Sequence, residues 1–211
     1  MIFGRESMDF ELLSRYGIKF PEYTIAKSRD EAAASAGRIG YPVALKIISP
    51  QALHKSDKGG VILNVQDGKG LETAHDELIK RFEGSQIDGV LVQKMAAGNA
   101  VELIIGGKKD SQFGQMIMLG TGGIFVEVMK DFTFRVCPIT RQDAQEMSGE
   151  LRSYPILAGA RGRKPVSQKA LAETLMHVSE LLMKEDPSEF DLNPVMADYK
   201  GCVAVDVRIV K

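Results

Sequence analysis

The segment YPVALKIISPQALHKSDKGGV, residues 41–61, decides how the rest of the chain is read. Residues 42–49 are an apolar run of strand length, and alternation along a strand puts Lys46 on one face with Ala44 and Ile48. Two explanations fit a lysine in such a run. It guards an edge strand, or it meets an anion. Eight residues later comes His54-Lys55-Ser56-Asp57-Lys58-Gly59-Gly60, a polar loop whose paired glycines let the backbone approach a ligand and turn its N–H groups inward. Lysine on a strand followed by a flexible glycine loop is what holding a polyphosphate requires. The pattern GxxxxGK[ST] is absent and the lysine precedes the loop, so this is not a P-loop; GxGxxG is absent too, which leaves a dinucleotide fold without support.

Outward from this segment, the chain reads as mixed helix and strand. Residues 7–15 are a short helix, 21–26 are extended, and Ser28 with Glu31 three residues on is a capping box that opens an alanine-rich helix ending at Gly40. On the other side, 61–65 is a strand, and Leu71, Ala74, Leu78, Ile79 and Phe82 recur at helical spacing over 70–82. Strands follow at 89–93, 100–106, 115–119 and 124–129. Thr140 with Asp143 starts a helix, 154–165 is a Gly/Pro/Arg loop, and Leu171, Leu175, Val178, Leu181 and Leu182 mark a long helix. Strands at 189–196 and 203–210 close the chain. The expected class is α+β, with helices at both ends and a strand-rich middle.

Composition narrows the function classes. With 27 Lys+Arg against 28 Asp+Glu, the chain lacks the basic excess that binding a nucleic-acid backbone leaves. No apolar run approaches the 18 or so residues of a membrane span, so no membrane role is expected. The first ten residues, MIFGRESMDF, carry charges where a signal peptide is apolar, and Cys137 and Cys202 form no CxxC, so a reduced, cytoplasmic protein is expected. The 211 residues allow a single domain of two tightly joined subdomains.

The carboxyl end holds a second departure from pattern. In Glu189-Phe190-Asp191-Leu192-Asn193-Pro194, alternation puts Glu189, Asp191 and Asn193 on one face, and in the last strand Asp206 shares a face with Arg208. If the two strands form a hairpin, Asp191, Asn193 and Asp206 converge as hard oxygens of the kind magnesium accepts; the plainer alternative is the solvent face of an antiparallel pair. Between the ends, Gln93-Lys94-Met95 is a strand exit suited to an adenine edge, and Glu102, expected to be buried, can hold ribose hydroxyls. Gly120-Thr121-Gly122-Gly123 reads equally well as hairpin turns.

Together the segments resemble the ATP-grasp family, most closely the nucleotide-binding subunit or domain of ADP-forming acyl-CoA synthetases, relatives of succinyl-CoA synthetase. The resemblance is carried by the opening segment, by VLVQKM with Glu102 after it, by FGQMIMLGTGGIFVE, YPILAGARG, and DLNPV with VAVDVR, in that order from about Tyr16 to Val210. It implies an ATP-grasp fold of two α+β subdomains, roughly 22–90 and 91–211 plus the amino-terminal helix, that grip ATP or ADP with Mg2+. By position, Lys46 matches the lysine on the phosphates, Gly59 and Gly60 the glycine loop, Gln93 and Met95 the adenine hinge, and Glu102 the ribose acid. Asn193 and Asp206 match the metal ligands, with Asp191 where several relatives carry glutamate. His54 matches a histidine that accepts phosphate in a relay from a first phosphohistidine on the partner.

The activity implied is a ligase that interconverts acyl-CoA, ADP and phosphate with acid, CoA and ATP. It would work with an alpha subunit or fused domains that bind CoA and carry the phosphohistidine, as a hetero-oligomer. Two other readings are an ATP-grasp carboxylate–amine ligase, which has no use for His54, and a silent scaffold domain of a fused acetyltransferase, which has no need to keep Lys46, His54, Asn193 and Asp206.

Overall fold

The computed structural model describes residues 10–50, 59–96, 98–123 and 130–211. The chain divides into two compact units, Pro21–Met95 and a second made of Met1–Phe20 with Ala96–Lys211.

In the unit Pro21–Met95, strands β1 (Tyr23–Ala26), β2 (Val43–Ile48), β3 (Val61–Val65) and β4 (Gly89–Lys94) form one sheet in the order β1-β4-β2-β3. Every neighbouring pair is antiparallel. Helices α2 (Arg29–Ile39) and α3 (Gly68–Arg81) follow β1 and β3, after the short amino-terminal helix α1 (Phe10–Arg15) of the other unit. Their apolar stripes close a core in which Ala32, Ala36, Leu71 and Leu78 meet Leu45, Ile47, Val90 and Val92. Ser28 caps α2 by accepting from the Glu31 N–H at 3.2 Å. The Glu31 carboxylate accepts from Lys27 N–H rather than from the cap residue, so the expected box is displaced by one residue. Asp67, not a residue near Gly70, starts α3, because its carboxylate takes the Gly70 N–H at 2.8 Å. Since β4 pairs with both β1 and β2 as far as Gln93 and Lys94, the unit runs to Met95 rather than stopping at 90.

The second unit is built on a six-stranded sheet of β5 (Val101–Asp110), β6 (Gly114–Thr121), β7 (Phe132–Val136), β8 (Glu189–Ala197), β9 (Cys202–Ala204) and β10 (Arg208–Val210). Its path is β10-β8-β5-β6-β7, and β9 also pairs with β8. Helices α4 (Arg141–Glu150) and α6 (Gln168–Glu185) lie on one face. Leu103, Ile105, Ile117 and Leu119 from the sheet and Leu175, Val178 and Leu182 from α6 are all buried. At Gly107 the helix sits so close that a Cβ would stand 2.4 Å from Leu182 Cδ2. Thr140 and Asp143 make the expected capping box on α4.

Three expectations change. The stretch 154–165 is not all loop: α5 (Tyr154–Leu157), with Pro155 in its first turn where a missing N–H is harmless, and a 3-10 turn at Ala160–Gly162 occupy it. The last strand is broken into β9 and β10, leaving Asp206 in the gap. β7 adds a strand at the sheet edge, with Phe132, Phe134 and Val136 exposed. The strand expected at 124–129 lies outside the described residues. Among the described residues, no helix is long and apolar enough to cross a membrane.

Candidate functional site

Lys46 sits on β2, between β4 and β3, and is only 3% exposed. A central position removes the edge-strand explanation. The core cluster takes Val43, Leu45 and Ile47 to the helix side, so Ala44 and Lys46 lie on the opposite face, joined there by their cross-strand partners Gln93 and Leu91. Gln93 is itself 1% exposed. Burying an ammonium costs several kcal/mol before compensation, about what a structural role on an open surface would never demand.

The glycine pair is held beside this lysine. Lys46 pairs with Val61, and the Gly60 carbonyl accepts the Ile47 N–H at 2.8 Å. Gly59 has φ 67°, the left-handed region, and its carbonyl accepts from Arg81 Nη1 at 2.7 Å. A Cβ there would lie 2.6 Å from that nitrogen. Arg81, which ends α3, was not singled out from sequence; a basic residue in a last helical turn is too common a signal to mark it. His54 lies outside the described residues, as do Lys55 and Lys58.

At the end of β4 the hinge pair differs in what it offers. Met95 donates its N–H to the Pro42 carbonyl at 3.2 Å, so that group is already used. Glu102, on β5 of the other unit, is exposed, which corrects the expected burial. It points away from the helices because its neighbours Val101 and Leu103 take the inner face, Leu103 being fully buried. Gly122 and Gly123, at the start of the connection between the antiparallel strands β6 and β7, pack directly on it; the Gly122 N–H donates to the Glu102 carbonyl at 2.7 Å.

The expected hairpin at the carboxyl end forms. Val195 pairs with Ala204 and Asp191 with Arg208, so counting between these registers sets Asn193 opposite Asp206. Relative to β5, β8 carries an extra residue between Val195 and Leu192, a bulge that holds Asn193 out of the regular ladder. Asn193 is exposed, while Asp191 and Asp206 are half-buried. Burial pushes the Asp191 carboxyl up to about 6; the Arg208 guanidinium opposes this and the Asp206 carboxylate adds to it. Two carboxylates near enough to repel, plus an amide oxygen, suit a hard divalent cation. Among the described residues there is no group of three or more His, Cys, Asp or Glu side chains that could hold a metal, so the donor set depends on Asn193.

Asp131 is a further buried acid that the sequence does not mark. It is 8% exposed and accepts from the Arg152 and Ser153 N–H groups at 2.8 and 2.9 Å and from Thr121 Oγ1 at 2.9 Å. Burial alone would raise its pKa, but the donors from Ser153, Arg152 and Thr121 outweigh it and hold the carboxyl below its ordinary value. Nothing in Lys130-Asp131-Phe132 distinguishes it, since its donors come from positions 10 and about 20 residues away.

An ATP-grasp domain model matches residues 5–210. Acetate–CoA ligase [ADP-forming] I of Archaeoglobus fulgidus is 49% identical over 204 residues, 94% of this chain but 30% of that protein. Acetate–CoA ligase [ADP-forming] II subunit beta of Pyrococcus furiosus is 46% identical over 208 residues, covering 95% of this chain and 88% of the subunit. A solved structure of Ca. Korarchaeum cryptofilum acetyl-coenzyme A synthetase 1, in complex with coenzyme A and Ca-AMPCP, superposes with a TM-score of 0.91 at 41% identity, covering 96% of this chain and 90% of that one. The chain thus spans under a third of its longer relatives and most of the shorter ones. With a buried lysine beside paired glycines in one unit, an oxygen set on a hairpin in the other, and a family model that matches from end to end, the chain belongs to the ATP-grasp family.

Proposed function

We propose that this chain is the nucleotide-binding subunit or domain of an ADP-forming acyl-CoA synthetase, a ligase that interconverts acyl-CoA, ADP and phosphate with acid, CoA and ATP. The observation that carries the reading is Lys46, buried on a central strand next to Gly59 and Gly60, in a chain that aligns over nearly the whole length of acetate–CoA ligase beta subunits. CoA binding and the first phosphohistidine belong to a partner subunit or fused domains, in keeping with the 30% share of the longer Archaeoglobus relative that the chain spans.

Phosphoryl transfer depends on positioning and charge neutralisation more than on covalent chemistry. Lys46 supplies a fixed cation to the phosphates, and Gly59 and Gly60 bring backbone N–H groups to them without side-chain interference. Met95 and Gln93 border the adenine, and Glu102 accepts from ribose hydroxyls. Asp191, Asn193 and Asp206 would hold Mg2+, which when bound neutralises phosphate charge. Asp191 must give up its proton to serve, and its raised pKa of about 6 leaves it mostly ionised at neutral pH. His54 takes the phosphoryl group from the partner's phosphohistidine. Its imidazole nitrogen forms a P–N bond as the partner's P–N bond breaks, and a β-phosphate oxygen of ADP then displaces the neutral imidazole to give ATP.

Lys46→Ala and Asp206→Ala, each assayed in the assembled enzyme, are expected to lower ATP formation from acyl-CoA, ADP and phosphate by at least about a hundredfold, since each removes charge stabilisation from the transferring group. Circular dichroism should remain that of the wild type. Near-normal turnover in either variant removes that residue from the site.

A further inference from the structure

The end of β6 and the two glycines after it, Gly120–Gly123, are gripped from two sides within the second unit. On one side it rests on Glu102: a Cβ on Gly122 would stand 3.0 Å from the Glu102 carbonyl carbon and Cβ, and one on Gly123 would stand 3.1 Å from Oε2. Both contacts are tight for an added Cβ, and Gly123, at φ 77°, holds a backbone conformation that favours glycine. On the other side it is tied to Asp131, because Thr121 N–H donates to the Asp131 carbonyl at 3.1 Å and Thr121 Oγ1 to its carboxylate at 2.9 Å. The same carboxylate takes the Arg152 and Ser153 N–H groups at the entry to α5, and the Thr121 and Ser153 hydroxyl oxygens are 3.2 Å apart. One buried acid therefore joins the end of β6 to the segment Tyr154–Leu157, drawing together the GTGG and YPILAGARG stretches, to whose residues no role has been assigned.

We propose that Asp131 is a positioning residue for nucleotide recognition: by fixing Thr121 it sets where Gly122 and Gly123 lie, and through them where Glu102 presents its carboxylate to the ribose. The inference rests on the nucleotide role given to Glu102. Its physical basis is short range. Thr121 is next to Gly122, whose N–H bonds to Glu102's own backbone, and Thr121 pairs across the sheet with Leu103, the next residue after Glu102. Asp131→Asn replaces one of the two accepting oxygens with an NH2 donor. At least one of the Arg152 N–H, Ser153 N–H and Thr121 hydroxyl groups then loses its acceptor and the rest lose a charged one, and the stretch relaxes away from Glu102. A carboxylate that must meet ribose hydroxyls works only within about half an ångström of its productive place.

The test is the ratio of calorimetric affinities for Mg-ADP and for its 2′-deoxy and 3′-deoxy counterparts, measured on the assembled enzyme. A ribose hydroxyl held by a carboxylate gives the wild type a preference of about tenfold or more. Glu102→Gln should bring that ratio below about threefold, Asp131→Asn should do the same, and Thr121→Val, which keeps the shape but removes one donor to Asp131, should fall between. Val178→Ala, a core change in α6, is the control for a loosened fold and should keep the wild-type ratio. If Glu102→Gln collapses the preference while Asp131→Asn and Thr121→Val keep it, the role of Asp131 is overturned and that of Glu102 stands. A preference untouched by Glu102→Gln overturns both. A ratio lowered equally by Val178→Ala overturns the positioning role in favour of general loosening.

Discussion

At the scale of single residues, the costly placements mark the chemistry. Lys46 is a lysine buried near the middle of a sheet, and Asp131 is a carboxylate under three donors; each is destabilising to bury without compensation. For Asp131 the folded pKa lies below the ordinary 3.8. The sign follows: the folded state binds fewer protons there than the unfolded state, so its stabilisation is complete above about pH 4–5 and is lost as the pH falls through the folded value. Asp131→Asn should cost about 1.5–3 kcal/mol at pH 7, the worth of hydrogen bonds to a charged acceptor. Urea midpoints of wild type and variant, measured from pH 7 to pH 3, should converge toward the acid end. A gap that stays constant across the range would show that the carboxylate charge contributes nothing.

At the scale of elements, packing of α6 on the second sheet turns on one missing Cβ. Gly107 faces Leu182, which is fully buried, and an added methyl would stand 2.4 Å from Cδ2 and 3.1 Å from Cγ. Gly107→Ala should therefore destabilise by about 1–3 kcal/mol through overpacking. Leu182→Ala alone should cost about 2–5 kcal/mol by opening a cavity, and the double variant should be more stable than the sum of the two predicts, because the new methyl enters the new space. Additive losses in denaturant melts would mean that the helix does not press on the sheet at this point. The same elements show what sequence makes legible. Alternation in VALKII and the stripe Leu71, Ala74, Leu78 give β2 and α3 almost as found, because each answers to its own local period. The break between β9 and β10 and the bulge at Asn193 are set by pairing between residues that sum across a hairpin, which no local window contains. Lys46, Gly59 and Gly60 stand out in the sequence because lysine and glycine are conspicuous in a strand and at a strand entry. Asp131 and Arg81 do not, since their hydrogen-bond partners lie 10 to 22 residues away. Glu102 was placed in the right strand but on the wrong side of the burial boundary, because alternation fixes a face and not what covers it.

At the scale of the whole molecule, two units each have their own sheet, with Lys46, Gly59 and Gly60 in one and Glu102, Asp191, Asn193 and Asp206 in the other. The longer Archaeoglobus relative devotes about 70% of its length to something this chain does not align with. In the proposed function, the covalent step made by this chain falls to His54. Mixing the chain with its partner, acyl-CoA and labelled phosphate in the absence of nucleotide should load both the partner and this chain with acid-labile phosphate, and His54→Ala should remove only the label on this chain. Adding Mg-ADP to the loaded wild type should discharge the label as ATP in a single turnover, because the β-phosphate is the acceptor that His54 awaits. The chain without its partner should take no label from acyl-CoA and phosphate. Label on His54→Ala equal to that on wild type, or ATP formed by that variant at the normal rate, would place the transfer directly between partner and nucleotide and leave His54 outside the reaction path.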